Sequence, residues 1–329
     1  MDSKDKSSAT GQIKSGLRGF EAGDPFHGER CRITVVFSGA LGDTILLKPM
    51  FEQFRRLHPG CRITLVTAAS VGRLFEMLGW AERAVDIHYF NHHRWFGDDP
   101  DLAAPPWADC DWLVSGVSSG NDAWARAARR YCRSARISFF NPLPIPGDPH
   151  HVVVQRCRQL GISLDLQATK SADGRDNGWK PSPRKVIIHP GSGGRDKCRP
   201  LDFYTGLARR LQRRGYRPEF ILGPVERERM PAAERAALAS DFCVNDCSEL
   251  PQLVEILRSA EVFLGNDSGV SHLAAALGVP TVAQFIRSDP RWWRPIGPRV
   301  WILGTDKMSA AAPAVMMREL QRVDAGGNS

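Results

Sequence analysis

No run in this 329-residue chain approaches the roughly eighteen consecutive apolar residues of a membrane-spanning helix, so an integral membrane protein is not expected. Residues 1–30 are polar and have no apolar signal-peptide core, which sets the expectation of a disordered lead-in on a cytoplasmic chain. The eight cysteines are scattered, and no C-x-x-C pair has a matching second pair, which argues against a disulfide framework or a zinc site. Reduced, mostly buried thiols are expected instead. His92-His93 has no helical i, i+4 partner, so no metal site is expected there. There is no G-x-G-x-x-G and no G-x-x-x-x-G-K-[ST], which leaves a dinucleotide-dependent oxidoreductase or a Walker-type ATPase with little support. Repeats and low-complexity tracts are also lacking.

Positive charge is in excess. Lys and Arg total 44 against 36 Asp and Glu, a net charge of +8 that calls for an acidic partner. The excess is spread over pairs such as Arg55-Arg56, Arg129-Arg130, Arg209-Arg210 and Arg213-Arg214 on helix faces. That dispersal is not a nucleic-acid footprint, and it favours an anionic substrate or an anionic membrane surface.

The length exceeds what one hydrophobic core usually supports, so two domains are expected. Ile33-Thr34-Val35-Val36-Phe37 reads as a strand, followed by Ser38-Gly39-Ala40-Leu41-Gly42-Asp43 and a helical pattern through Leu57. Strands at 62–67 and 84–89 with a helix at 71–78 continue a parallel α/β alternation. The loop 91–111, with His92-His93-Arg94-Trp95-Phe96 and Pro105-Pro106-Trp107, reads as an exposed basic and aromatic surface suited to a sugar or lipid head group. Strands at 112–116 and 136–140 flank a helix at 122–132, and a helix at 152–160 closes this half.

Residues 168–185, rich in Lys, Ser, Asp, Gly, Asn and Pro, read as a linker. Beyond it Val186-Ile187-Ile188-His189 is a strand, and Pro190-Gly191-Ser192-Gly193-Gly194-Arg195-Asp196-Lys197 leads into a helix at 201–214. Backbone N–H groups bared by glycine, the Ser192 hydroxyl and the cations of Arg195 and Lys197 are the ingredients of a diphosphate cradle. A further strand at 219–222 runs out into Gly223-Pro224-Val225-Glu226. The stretch 262–283 then reads as strand, polar turn, helix and strand, with Asp267 and Ser268 as N-cap residues and Gly278 ending the helix. A phosphate fits against Ser268, Gly269 and Val270 at that helix N-terminus. Taken alone, the same residues read more simply as a plain helix cap, with His272 as a satisfied core histidine.

Three blocks stand in a fixed order: Phe37-Ser38-Gly39-Ala40-Leu41-Gly42-Asp43 through Pro49, His189-Pro190-Gly191 through Lys197, and Asn266-Asp267-Ser268-Gly269 with His272 and Trp293-Arg294-Pro295. Together they resemble the heptosyltransferase family, glycosyltransferase family 9, whose members move ADP-activated heptose onto the inner core of lipopolysaccharide. The resemblance implies an α/β chain of GT-B architecture, two Rossmann-like doubly wound domains facing a central cleft. The expected divisions are a lead-in at 1–30, an acceptor-side domain at 31–167, the linker at 168–185, a nucleotide-sugar domain at 186–310 and a terminal helix and tail at 311–329.

By the same resemblance, Asp43 is the general base that takes the proton of the acceptor hydroxyl, and Lys197 stabilises the departing nucleoside diphosphate. Glu226 is similar to the acid that holds the ribose hydroxyls. Gly42, Ser192, Gly193, Asp267, Ser268, Gly269 and His272 are expected around the donor. No metal and no cofactor are implied, the ADP-sugar being a substrate. The implied partners are a lipopolysaccharide or lipid-linked acceptor and an anionic inner-membrane surface touched peripherally, with no nucleic acid. Two alternatives stay open: a silent nucleotide-sugar-binding protein and a GT-B-like sugar-nucleotide epimerase.

Overall fold

In the computed structural model, which describes residues 31–89, 105, 107–132, 135–167 and 178–304, the strands form two separate sheets in which every neighbouring pair is parallel. The first holds β1 (Arg32–Val36), β2 (Arg62–Thr67), β3 (Arg83–Asp86), β4 (Trp112–Ser115) and β5 (Arg136–Phe139) in the order β3-β2-β1-β4-β5. The second holds β6 (Lys185–His189), β7 (Arg217–Leu222), β8 (Cys243–Asp246), β9 (Val262–Asn266), β10 (Thr281–Gln284) and β11 (Val300–Leu303) in the order β11-β10-β9-β6-β7-β8. Central strands read as unbroken apolar runs because helices cover both faces. Val35 lies level with Leu65 and Val114, and Ile188 with Phe220 and Leu264, all of them buried.

Each order reverses once. In the first sheet the chain leaves β1 toward β2 and β3 and returns on the other side at β4, and in the second the reversal falls between β6 and β9. Loops at the carboxyl ends of strands beside such a reversal diverge and leave a crevice. Those loops are 37–40 after β1, the glycine-rich 190–194 after β6, and Asp267-Ser268 after β9.

The two halves meet through helices. Ala69–Met77 packs against Leu250–Arg258, and Leu41–Ile45 lies against Gly269–Ala276, so one apolar cluster runs from Ile33, Phe51 and Phe75 to Leu257, Phe263 and Leu273. At the contact, a Cβ on Gly42 would lie 3.3 Å from Gly269 Cα and 2.9 Å from His272 Cδ2. Glycine at 42 and 269 lets the two backbones approach this closely.

Several elements differ from the sequence reading. The helical pattern after Asp43 is two helices, Leu41–Ile45 and Lys48–Leu57, because Pro49 in the first turn of the second has no N–H to continue the first. Asp43 therefore sits inside the first turn, with Ala40 as N-cap. Strand β3 ends at Asp86 rather than 89, and Pro224–Arg229, Ala232–Asp241 and Pro290–Trp293 are helices to which the sequence reading assigns no element. Trp107, expected on an exposed loop, is buried and stacks on Trp124 with ring centroids 6.4 Å apart, because its indole completes the apolar cluster under β1 and β4. Residues 1–30, His92 through Phe96, the first part of the linker and the expected terminal helix lie outside the described residues. All eight cysteines are free, and six are buried.

Candidate active site

Side chains from both halves converge on a pocket of about 460 Å³ where the crevices face each other. Gly42 and Asp43 line it from the first half, and Ser192, Gly193, Lys197, Asp267, Ser268, Gly269 and His272 from the second. These are nine of the ten site residues expected from sequence. Ala40, Leu143, Gly194, Ser288 and Trp293 complete the lining. Glu226, the tenth, lines an adjoining pocket of about 210 Å³ with Gly191, Arg195, Arg199 and Arg229, and Ser192 belongs to both.

Local sequence explains how the second half is held. Asn266, fully buried at the end of β9, donates through Nδ2 to the Pro190 carbonyl at 2.7 Å and accepts through Oδ1 from the Tyr204 hydroxyl at 2.6 Å. The Ser192 hydroxyl donates to the Asp267 carbonyl at 2.6 Å, and Arg229 donates to the Gly193 carbonyl at 3.0 Å. The glycine-rich loop is thus tied to the turn after β9 and is not a free surface loop. Ser268 caps the helix Gly269–Ala276 by accepting from the Ser271 N–H at 3.4 Å, and Gly278, with φ of 82°, ends it.

Asp267, expected as a second cap, has a different partner. Its Oδ2 accepts from Lys197 Nζ at 2.8 Å, and its Oδ1 lies 3.9 Å from His272 Nε2. Burial pushes this carboxyl up, but the nearby His272 ring, the Lys197 ammonium and the Ser288 side chain outweigh it and hold it at about 2. The Asp267 carboxylate is therefore ionised at neutral pH. His272 is not a satisfied core histidine, since its buried Nδ1 has no partner among the described residues. In the adjoining pocket Glu226 Oε2 accepts from the Gly223 N–H at 2.8 Å and lies 3.5 Å from His189 Nε2. Burial raises that carboxyl as well, and the His189 ring and backbone N–H groups bring it below the usual range. A Cβ at position 191 would fall 1.7 Å from Glu226 Oε1, which is why the loop carries glycine there.

Asp43 is 36% exposed at its side chain and opens on the pocket, while Arg156 lies beneath it with a side chain 0% exposed. The helical periodicity of 152–160 marks Arg156 only as one residue of a closing helix. Asn266 and Tyr204 likewise have no assigned role in the sequence reading, although an Asn ending an apolar strand is a polar side chain that must find partners once buried.

The pocket therefore brings an exposed carboxylate from one half opposite a lysine, a glycine-rich loop and a helix N-terminus from the other. A carboxylate so placed can accept a proton, and a cation with free N–H groups can hold an anion. The profile of glycosyltransferase family 9 (heptosyltransferase) matches residues 155–322. Lipopolysaccharide heptosyltransferase 1 of Pseudomonas aeruginosa is 32% identical over 312 aligned residues, covering 84% of this chain and 84% of the relative. The chain belongs to glycosyltransferase family 9. Lipopolysaccharide heptosyltransferase 3 of Escherichia coli K12 is 26% identical over 174 residues, a match to 48% of this family 9 glycosyltransferase and 50% of that protein.

Solved structures share the fold. The E. coli ADP-heptose lipopolysaccharide heptosyltransferase II superposes with a TM-score of 0.63 at 15% identity, over 91% of this chain and 100% of the other. An E. coli heptosyltransferase solved with ADP gives 0.62 at 18% identity, over 89% and 99%. The two parallel-sheet halves are the Rossmann-like domains of a GT-B fold.

Proposed function

We propose that the protein transfers heptose from an ADP-sugar to a hydroxyl of a lipopolysaccharide inner-core acceptor, with inversion at the anomeric carbon. One observation carries the reading: Asp43 and Lys197 line the same pocket from opposite domains. The diphosphate lies against the helix Gly269–Ala276 and the loop 190–194, and the nucleoside extends into the adjoining pocket, where Glu226 accepts from the ribose hydroxyls. Asp43 takes the proton of the acceptor hydroxyl as its oxygen attacks the anomeric carbon. The bond from that carbon to the diphosphate breaks with its electron pair, and ADP leaves against Lys197 and the helix N-terminus. A single displacement of this kind inverts the anomeric centre. Lys197 and backbone N–H groups supply the charge neutralisation, so turnover is expected to survive a chelator.

The heptosyltransferase names of the relatives support the sugar and the acceptor class, and the neighbour solved with ADP supports the nucleotide. We further propose a cytoplasmic enzyme that touches anionic membrane peripherally, supported by the net charge of +8. Among the described residues no helix is long and apolar enough to cross a membrane.

Calorimetry with ADP, GDP, UDP, ADP-sugars and NAD tests the donor, and ADP release with a lipopolysaccharide-core acceptor tests transfer. ADP and an ADP-sugar are expected to bind, and the sugar to move only when acceptor is present. Binding of NAD with no nucleoside diphosphate or nucleotide sugar bound at millimolar concentration refutes the reading. Donor binding without transfer to any hydroxyl acceptor returns the protein to the silent or epimerase class.

A further inference from the structure

Arg156, on the helix Val152–Gln159, is the one fully buried arginine in the described core, and a buried guanidinium is costly unless its hydrogen bonds and a counter-charge offset the lost hydration. Its Nη2 donates to the Pro142 carbonyl at 2.6 Å and its Nη1 to the Asp43 carbonyl at 3.3 Å. Among the described residues its ion-pair partner is Asp43, whose Oδ1 lies 3.8 Å from Nη2. Three aromatic rings enclose the cation, Phe37 at 5.2 Å, Phe140 at 5.8 Å and Trp293 at 6.0 Å from the guanidinium carbon. Its Nε has no partner among the described residues. Burial lowers the guanidinium to about 10, so it stays charged at neutral pH.

Two of these rings carry consequences. Phe37 begins the turn that ends at Asp43, and Trp293 comes from the other domain and lines the same pocket as Asp43. The segment bearing Trp293 is pinned to the start of the arginine's helix. Trp292 Nε1 donates to the Asp148 carbonyl at 2.6 Å, and His151 Nε2 donates to the Arg294 carbonyl at 2.9 Å. The guanidinium thus meets the base's main chain, its carboxylate and a ring of the facing domain at once.

We propose that Arg156 is a positioning residue for Asp43, anchoring one carboxylate oxygen and the main chain of the base so that the other oxygen faces the acceptor hydroxyl, with Trp293 closing the box when the second domain is seated. The proposal rests on Asp43 being the general base. An arginine suits the task because its planar fork bridges two carbonyls and a carboxylate from one fixed position. A base displaced by about 1 Å loses on the order of 100-fold in rate, while donor binding, which draws mainly on the other domain, changes little.

The test is a double-mutant cycle on the full-length enzyme with Arg156→Met, Arg156→Lys, Asp43→Asn and Asp43→Asn/Arg156→Met, reading kcat, donor KM, ADP affinity and Tm. Arg156→Met keeps the stem and loses the fork. It is expected to lower kcat about 10- to 100-fold with donor KM and ADP affinity within about twofold, and Arg156→Lys to recover part of the loss. In the Asp43→Asn background the same Met substitution is expected to change the residual rate by less than about twofold, since no base is left to orient. Parent-like kcat in Arg156→Met, or an equal fold loss with and without Asp43, overturns the proposal and makes Arg156 a packing residue. If Arg156→Met does not fold, Arg156→Lys is combined with Asp43→Asn and judged by the same criteria. Parent-like turnover in Asp43→Asn alone refutes the base assignment itself, a separate outcome.

Discussion

Replacing Lys197 with Ala perturbs two charges at once. The lysine faces the pocket where the diphosphate is placed, and a charge-assisted contact to phosphate is typically worth roughly 1.5–3 kcal/mol, about 10- to 100-fold in affinity. It also neutralises Asp267 at 2.8 Å, a carboxylate whose side chain is only 6% exposed. At that separation and an effective dielectric near 20 the pair would attract by roughly 6 kcal/mol. The Lys197 side chain is 37% exposed, however, so water screens the pair to a small part of that figure. Loss of the phosphate contact should then dominate, with repulsion from the bared Asp267 adding to it. Titration calorimetry is therefore expected to show ADP binding about 10- to 100-fold weaker in Lys197→Ala, and several-fold of that regained in Lys197→Ala/Asp267→Asn. Unchanged ADP affinity and unchanged turnover in the single variant would refute the reasoning and leave Lys197 as a surface cation paired with Asp267. A double variant weaker than Lys197→Ala would show that Asp267 contacts the ligand and is not merely a neutralised charge.

Gly42→Ala places a methyl group 2.9 Å from His272 Cδ2 and 3.3 Å from Gly269 Cα, so the His272 ring or the helix contact must shift; overpacking of about 1–3 kcal/mol is expected as a lower Tm with weaker turnover. Parent-like values of both would show that the interface yields freely there. His151 is held near 3 by burial, against an ordinary 6.5. The unfolded chain takes up that proton below about 6.5 and the folded one does not until about 3, so stability is full above 6.5 and falls with pH through this window, by about 2 kcal/mol at pH 5. His151→Gln is expected to shrink the loss of Tm between pH 7 and pH 5, and an identical slope would remove His151 as the cause. Vesicle sedimentation is expected to show binding to anionic lipid that weakens with added salt, and lipid-independent partitioning at low salt would count against peripheral attachment.

The features legible in the sequence are those governed by short-range chemistry. Apolar runs such as Val186 to Ile188 and Val262 to Leu264 are strands whatever surrounds them, because both of their faces must be covered. Glycine and hydroxyl residues after such runs mark turns, and Ser268 caps its helix through a hydrogen bond three residues long. The parallel architecture and the two glycine-rich turns follow from patterns of this kind, and the nine pocket residues from those turns together with the resemblance that the three motif blocks carry.

Tertiary packing alone decided the rest. The reach of Arg156 to Asp43 spans 113 residues of chain, and the latch between Asn266 and Pro190 spans 76; no local pattern encodes either distance. Asp267 reads as a cap because its neighbours are those of a cap, yet Lys197 from another loop competes for the carboxylate and wins, charge against charge being stronger than a neutral N–H. Trp107 reads as exposed because its loop is long and proline-rich, whereas Trp124 from a later helix supplies an apolar face that removes its indole from water. Local propensity determines which segments are helix, strand or turn. Which charged and aromatic side chains then meet depends on how the two sheets are brought face to face, and only the folded chain settles that.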